Sequence, residues 1–226
     1  MKHFLSIPAL EQYFRSRYTY RKGCVQMEEE PEDRSAENVS QADSEGTKTL
    51  MRSVLIFPHF ADTSAIDRVR SMFDPAFTKI KPHITLVFPF ASIYTAEEIR
   101  DAVVSCTAGI SQFKLTLSET VVKDSFLFMI PSEGRACITA LFRNLHAGLF
   151  KPFLPPVLEQ EAFIPHMTVG TCTPENAQER LSAARSLLRE YTALIDTVSV
   201  EIIGPDSKAI IESENRLMPQ QSGQGR

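Results

Sequence analysis

One short pattern, Pro-His-apolar-Thr-apolar, occurs twice in this chain of 226 residues. The first copy is PHITL at residues 82–86, and the second is PHMTV at residues 165–169. Average residue frequencies make even one match to Pro-His-apolar-Thr uncommon in a chain of this length, and two matches far rarer. Each copy is flanked by apolar residues and followed by a predicted helix. The repeat therefore predicts a duplicated strand-and-helix unit whose two halves are related by an approximate two-fold axis.

Each copy of the pattern is predicted to lie on a β-strand, in which residues i and i+2 point to the same face. His83 and Thr85 then project together, as do His166 and Thr168 in the second copy. The apolar residues of each copy point to the opposite face. A proline suits the start of a strand, because its missing N–H costs little there. If the two strands lie side by side, two imidazoles and two hydroxyls converge on one cleft.

Two facing histidines can cleave a phosphodiester, because imidazole titrates near neutrality and can act as either base or acid. His83 and His166 are therefore the candidate catalytic pair. The hydroxyls of Thr85 and Thr168 can hold the non-bridging phosphate oxygens. A single buried His beside Thr is more often a core residue, but two copies in the same frame favour function. The sequence lacks H-E-x-x-H and paired acidic ligands, so we expect catalysis without a metal ion or cofactor.

Composition divides the chain into three parts. Residues 1–50 form an N-terminal extension in which the first 23 residues carry a net charge of +4 and the next 27 carry −6. Within it, residues 26–49 nearly lack large apolar side chains and are predicted to be disordered. Residues 51–218 are predicted to form one folded domain. Residues 219–226 are predicted to be a disordered tail.

Other features limit the partners and the cellular location. The remainder of the chain, with a net charge of −2 from the same count, argues against general duplex binding but not against one phosphate in a cleft. No apolar run reaches the roughly 18 residues of a membrane span, and the first stretch, from Met1 to Phe14, makes a poor secretory signal. The basic residues 1–23 fit a docked amphipathic helix, or a segment that is not part of the functional protein, better than a membrane contact. Four widely spaced cysteines predict reduced thiols, so we expect a cytoplasmic protein. We also expect a monomer.

Strand and helix patterns alternate from Met51 onward. The helices are predicted to begin at capping boxes formed by Ser64 with Asp67 and by Thr95 with Glu98, after Gly134, and at Thr173-Pro174. The strands are predicted at residues 53–57, 83–90, 113–122, 125–130, 163–172, 197–203 and 209–212.

These motifs resemble the signature of the 2H phosphoesterase superfamily and, within it, the 2′-5′ RNA ligase-like family. That signature is two H-x-[ST]-x motifs, matched here by His83–Leu86 and His166–Val169. The resemblance extends from about Ser53 to Leu217 and follows the family order of SVLIFPHF, KPHITLVFPF and FIPHMTVGT. Residues 1–50 match nothing in the family. The resemblance implies a bilobal α+β fold of duplicated strand–helix units, with antiparallel sheets facing a central cleft.

The resemblance also implies a function for the four motif residues. They would attack a 2′,3′-cyclic phosphate or a 2′-5′ phosphodiester in an RNA end or a small cyclic nucleotide. Phe90 and Tyr94 are near enough in sequence to bind substrate by stacking on a base, whereas Phe88 is expected to pack in the core. ATP-independent 2′-5′ RNA ligation is the reverse reaction at the same site. A non-catalytic RNA- or nucleotide-binding module is the alternative from another class.

Overall fold

The computed structural model of the protein describes residues 19–21, 24–26, 49–123, 125–160 and 162–220. The first two strands, β1 (Thr19–Arg21) and β2 (Cys24–Gln26), pair antiparallel in a ladder of their own. Most of the predicted amphipathic segment (residues 1–18 and 22–23), almost all of the predicted disordered segment and residues 221–226 of the predicted tail lie outside the described residues.

The remaining described elements are strands and helices at most of the predicted positions, with an unpredicted strand at Tyr191–Ile195 and an unpredicted short helix at Pro156–Gln160. The strands are β3 (Leu50–Ile56), β4 (Ile84–Ser92), β5 (Phe113–Lys123), β6 (Phe126–Glu133), β7 (Met167–Thr171), β8 (Tyr191–Ile195), β9 (Thr197–Ile203) and β10 (Ala209–Arg216). The helices are α1 (Ser64–Phe73), α2 (Ala96–Thr107), α3 (Arg135–Ala147), α4 (Pro156–Gln160) and α5 (Ala177–Leu187), with a 3₁₀ turn at Lys151–Phe153.

Strands β3 to β10 form one antiparallel sheet in the order β10-β9-β3-β4-β7-β6-β5-β8. The central strands β4 and β7 share only one residue pair, Ile84 with Met167. Ile84 and Met167 are the first residues of their strands, so the two antiparallel strands extend from this pair in opposite directions. The sheet therefore has two four-stranded halves that meet at one point. We call β10-β9-β3-β4 the first lobe and β7-β6-β5-β8 the second lobe.

Each lobe contains the same strand–helix–strand unit. In the first lobe, α1 connects the neighbouring antiparallel strands β3 and β4. In the second lobe, α3 and the short segments after it connect β6 and β7 in the same way. A further helix follows each unit, α2 after β4 and α5 after β7. The α+β class and the two-lobed, duplicated plan are thus confirmed, and the two lobes share one continuous sheet.

The two faces of the sheet lie in different environments. One face packs into the core, where the side chains of Val54, Ile56, Ile84, Met129 and Met167 have no exposed surface. Burying a side chain of this size contributes about 1.5–3 kcal/mol to stability. Strand residues alternate between faces, so His83, Thr85, His166 and Thr168 belong to the opposite face. The core therefore fixes the strands that carry the motif.

The predicted capping box of α2 is present. The Thr95 hydroxyl accepts a hydrogen bond from the backbone N–H of Glu98 at 3.2 Å, and the Glu98 carboxylate accepts one from the backbone N–H of Thr95 at 2.8 Å. Two backbone N–H groups at the start of the helix, which have no partner within it, are hydrogen-bonded in this way. Local sequence therefore determines where this helix begins.

Two other helix starts differ from the predicted ones. The N-cap of α1 is Thr63 rather than Ser64, and its hydroxyl donates to the Asp67 carboxylate at 2.7 Å. Helix α5 begins at Ala177 instead of near Thr173, because the Asn176 side chain accepts a hydrogen bond from the backbone N–H of Thr173 at 2.8 Å. This bond closes a turn ahead of the helix. Among the described residues, none of the helices is both long and apolar enough to cross a membrane.

Candidate active site

The two motif histidines occupy equivalent positions where the lobes meet. His83 immediately precedes β4, and His166 immediately precedes β7. In each ring, Nδ1 lies 2.8 Å from the backbone carbonyl oxygen two residues earlier, that of Lys81 or of Ile164. A carbonyl oxygen can only accept a hydrogen bond, so Nδ1 carries the proton in both rings. In the neutral form, Nε2 is then the basic nitrogen, and the local fold sets the same tautomer twice.

The pair Ile84–Met167 determines which motif residues face each other. Continuing its antiparallel register by one residue places Thr85 opposite His166. The same step in the other direction places Thr168 opposite His83. Directly opposite residues of neighbouring strands have Cβ atoms about 4.5–5.5 Å apart and share a face. The structure thus brings together the four half-buried side chains, each imidazole beside a hydroxyl from the other copy.

Both imidazoles favour the neutral state. Burial lowers the pKa of His166 to about 4, and the charges of His83 and Lys123 act in the same direction. Burial also lowers the pKa of His83, and the nearby Arg70 guanidinium adds to this effect. The backbone carbonyls that bind Nδ1 oppose both shifts but do not cancel them. At neutral pH both rings are therefore uncharged in the free protein.

The second lobe provides a small apolar pocket beside His166, which we call the His166 pocket. It has a volume of about 230 Å³. The Phe128 ring contacts the His166 ring at 3.9 Å between centroids, and Phe163 is held by stacking on Phe142 at 3.9 Å. The remaining walls come from β4, β5, β6, α4 and the segment before β7. Lys123 contributes a basic side chain to the lining. The lining of this pocket is mainly apolar and aromatic, which suits an apolar ring better than a charged group.

The first lobe provides a larger cavity beside His83, which we call the His83 cavity. Its volume is about 740 Å³, and its walls come from the loops before and after α1 and from β10. Phe57 lines it and lies 6.1 Å from the His83 ring between centroids. Lys79 and Lys81 are exposed at its wall. Each histidine therefore has a space beside it, and the two spaces differ in size and charge.

Of the two aromatic residues predicted to bind substrate, Phe90 lies elsewhere. Its side chain is only 1% exposed and packs in the core between Phe150 and Phe153, with ring centroids 5.6 Å and 4.6 Å away. It has no access to the cleft, so its predicted role is wrong. Tyr94 is partly buried against the core and follows the far end of β4, nine strand residues beyond His83. The structure does not bring Tyr94 to the histidines.

Phe88, predicted in the core, instead lines the His166 pocket. The cause is the irregular pairing of β3 with β4, in which Val54 faces Val87 but Leu55 faces Thr85. A second shift follows before Phe90, so the buried apolar positions on β4 are 84, 86, 87 and 90. Such bulges change which side of a strand a residue faces. Strict alternation along β4 therefore places Phe88 on the wrong face.

The two other histidines among the described residues lie apart from the junction. His59 is exposed in the loop after β3, whereas His146 on α3 is 8% exposed and packs on Phe142. Phe128 and Phe163 are pocket residues that the motif did not indicate. Within the described ranges, no three side chains of the His, Cys, Asp or Glu type lie close enough together to hold a metal ion.

The fold and the site define a class of two-lobed α+β proteins in which a duplicated His-x-Thr motif lines the junction of the lobes. The chain belongs to the 2′-5′ RNA ligase superfamily, whose family model matches residues 57–203. The resemblance found in the two motifs is thereby confirmed.

Two bacterial relatives resemble the chain in sequence. "Putative phosphoesterase BH1439" of Halalkalibacterium halodurans is 27% identical over 153 residues, which are 65% of this chain and 85% of that protein. "Putative phosphoesterase BCB4264_A1283" of Bacillus cereus is 28% identical over 123 residues, 52% of this chain and 67% of that protein.

Solved structures of E. coli LigT share the fold. The apo form aligns with a TM-score of 0.54 at 11% identity, covering 75% of this chain and 98% of LigT. The form complexed with 3′-AMP aligns with a TM-score of 0.52 at 13% identity, covering 77% and 100%. At this level of identity the likeness establishes the fold alone.

Proposed function

We propose that the protein is a phosphoesterase that hydrolyses a 2′,3′-cyclic phosphate or a 2′-5′ phosphodiester of RNA or of a nucleotide. The observation that carries this proposal is the repeated tautomer: His83 and His166 both bind a carbonyl through Nδ1. Both can therefore present Nε2 to one cleft. The relatives named as phosphoesterases and the LigT complex with 3′-AMP support the same class of substrate.

The proposed chemistry is proton transfer by the two rings. One imidazole, neutral at Nε2, accepts a proton from the attacking water as the new P–O bond forms. The other imidazole, protonated at both nitrogens, donates its Nε2 proton to the ribose oxygen as the old P–O bond breaks. Opening a 2′,3′-cyclic phosphate at the 3′ oxygen leaves a 2′-phosphate. The base ends protonated and the acid neutral, so both rings must exchange protons with solvent before the next turnover.

The substrate itself supplies the charge that the acid needs. In the free protein, burial lowers the pKa of both rings, so neither is charged at neutral pH. A phosphodiester anion beside them favours the protonated form of a neighbouring imidazole and raises its pKa. Only one ring becomes charged, because two adjacent positive rings repel each other, as the effect of His83 on His166 indicates. Substrate binding thus sets up an acid and a base from two equivalent rings.

The threonines and the His166 pocket would position the substrate. The hydroxyls of Thr85 and Thr168, each opposite an imidazole, can donate to the non-bridging oxygens, where negative charge increases in the transition state. The base of the reacting nucleotide would stack on the phenylalanines of the His166 pocket, namely Phe88, Phe128 and Phe163. This arrangement places the phosphate at the junction and the base in the second lobe.

A panel of substrates tests the proposal directly. Purified protein in EDTA is incubated with nucleoside 2′,3′-cyclic phosphates, cyclic-ended RNA and 2′-5′-linked dinucleotides, beside the double variant His83→Ala/His166→Ala. We expect release of a 2′-phosphate product by the wild type and none by the variant, whose folding is checked by circular dichroism. Tight binding of these compounds without turnover would favour the non-catalytic module instead. Formation of 2′-5′ linkages from cyclic-ended and 5′-hydroxyl RNA would reveal the reverse, ligase reaction.

A further inference from the structure

The reaction proposed above uses the junction and the His166 pocket and leaves the larger His83 cavity without a role. The volume of this cavity, about 740 Å³, falls within the range of small-molecule binding sites. Lys81 and Pro82, which directly precede His83, form part of its wall. Phe57, whose ring centroid lies 6.1 Å from that of His83, also lines the cavity, so the cavity begins next to the junction.

The aromatic lining of the His83 cavity offers stacking surfaces. Phe57, Phe60 and Phe77 all line the cavity, and all three are half-buried, so part of each ring remains accessible. Phe60 is held edge-on against Tyr191 at 5.5 Å, and the Arg70 guanidinium lies 5.8 Å from the Phe77 ring. These contacts hold the rings in place before a ligand binds. A nucleobase is a flat group, and such rings can stack on any of the four bases.

The charges of the cavity favour an anion on one side. Within the part of the chain that the structure describes, neither Lys79 nor Lys81 forms an ion pair. Arg70, by contrast, is occupied by Asp74 at 2.8 Å and by the Ile80 carbonyl at 2.8 Å. The acidic side chains of the lining are Asp67, which accepts a hydrogen bond from Thr63, and Glu214 on β10. The lysines are therefore the groups available to a phosphate.

We propose that the His83 cavity is a second nucleotide subsite. The substrate is then an oligonucleotide whose reacting nucleoside occupies the His166 pocket. The neighbouring nucleotide stacks on Phe57, Phe60 or Phe77, with its phosphate at Lys79 and Lys81. Unpaired basic side chains beside accessible aromatic rings are the combination that binds single-stranded nucleic acid. This inference rests on the proposed function. It adds that the bound oligonucleotide crosses the cleft from the second lobe to the first.

Matched substrates of different length test the subsite. We compare kcat/KM for adenosine 2′,3′-cyclic phosphate, for an adenosine dinucleotide with the same cyclic end, and for a 2′-5′-linked adenosine dinucleotide. Each is assayed with the wild type, with Lys79→Ala and with the control Lys151→Ala, which removes an exposed lysine away from both spaces. The two dinucleotides distinguish a strand with a cyclic end from one cleaved at an internal linkage.

We expect the wild type to prefer at least one dinucleotide over the mononucleotide by about tenfold or more, because stacking a second base adds binding energy. Lys79→Ala should reduce this preference several-fold. It should also lower the slope of log(kcat/KM) against log[salt] for the dinucleotide by about 0.7, the value for one lost phosphate contact on a single strand. Lys151→Ala should leave the preference and the slope as in the wild type. Equal kcat/KM values for mononucleotide and dinucleotides would overturn the subsite while leaving the proposed function intact.

A binding measurement keeps the subsite testable if no substrate turns over. Absence of any turnover would refute the proposed function, and calorimetric titration would then decide on the subsite. We expect the dinucleotide with a 2′-phosphate end to bind about tenfold more tightly than adenosine 2′-phosphate, and Lys79→Ala to weaken only the dinucleotide appreciably. Equal affinities of the two compounds for the wild type would overturn the inference.

Discussion

The two lobes are alike at the histidines and different around them. His83 and His166 each precede a central strand, bind the carbonyl two residues earlier at the same 2.8 Å, and belong to one cleft. Beside them, the first lobe has a cavity of about 740 Å³ with two lysines that form no ion pair with a described residue, and the second has an apolar pocket of about 230 Å³. The difference indicates that the chemistry is symmetric, whereas substrate recognition is not.

The structural reason lies in which elements form each part. The motif residues are held by strand pairing at the centre of the sheet, where the pair Ile84–Met167 allows little variation. The flanking walls come largely from loops and short helices, such as the segment after β3 in one lobe and α4 in the other. Loops vary in length and side chains without disturbing the sheet. A duplicated unit can therefore keep its catalytic geometry and still develop two different binding surfaces.

Removing the hydroxyls should affect both lobes equally. Thr85→Val and Thr168→Val each delete one donor to the non-bridging oxygens, and loss of such a donor lowers kcat about a hundredfold. Since the two threonines occupy equivalent positions opposite the two imidazoles, we expect losses of similar size. Steady-state kinetics on a nucleoside 2′,3′-cyclic phosphate measures both. A large loss for one variant and none for the other would show that the catalytic centre is not symmetric.

Removing aromatic rings should affect the lobes unequally. For a mononucleotide substrate, Phe163→Ala removes a wall of the pocket that would hold its base, at a cost of about 1–3 kcal/mol in kcat/KM. Phe77→Ala, the comparable change in the first lobe, should leave kcat/KM for the same substrate nearly unchanged. A cyclic phosphate without a base serves as the control, since Phe163→Ala should hardly change its turnover. Equal losses for the two variants would contradict the assignment of the base to the second lobe.

The lowered pKa values should shift the pH dependence. In the free protein both imidazoles titrate below the ordinary 6.5, His166 at about 4. Because kcat/KM reports the free protein, its maximum should lie below pH 6.5 and fall again as the base becomes protonated toward pH 4. Bound phosphate raises these pKa values, so the maximum of kcat should lie at higher pH. A kcat/KM maximum above pH 7 would contradict a buried, neutral pair.

The sequence was sufficient to predict what depends on neighbouring residues. The i, i+2 spacing placed His83 with Thr85, and Thr95 with Glu98 marked the start of α2, because both features are local. Long-range pairing was not predictable in the same way. The register shifts between β3 and β4 turn Phe88 away from the core face, where alternation from Ile84 places it together with Phe90. Pro89 is a local sign of an irregular strand, but it does not specify the register. Strand β8 is not predicted because it is short and the apolar Leu194, its fourth residue, is exposed, which obscures the alternation of apolar and polar residues.

Single substitutions of the two histidines test the central claim, that His83 and His166 act together as one acid–base pair. Each of His83→Ala and His166→Ala should lower kcat for a 2′,3′-cyclic phosphate by a factor of about 10²–10⁴, the contribution of one general acid or base. The double variant should be little worse than either single variant, because removing one partner already disables the unit. Wild-type turnover in either single variant, or losses that multiply in the double variant, would contradict this claim.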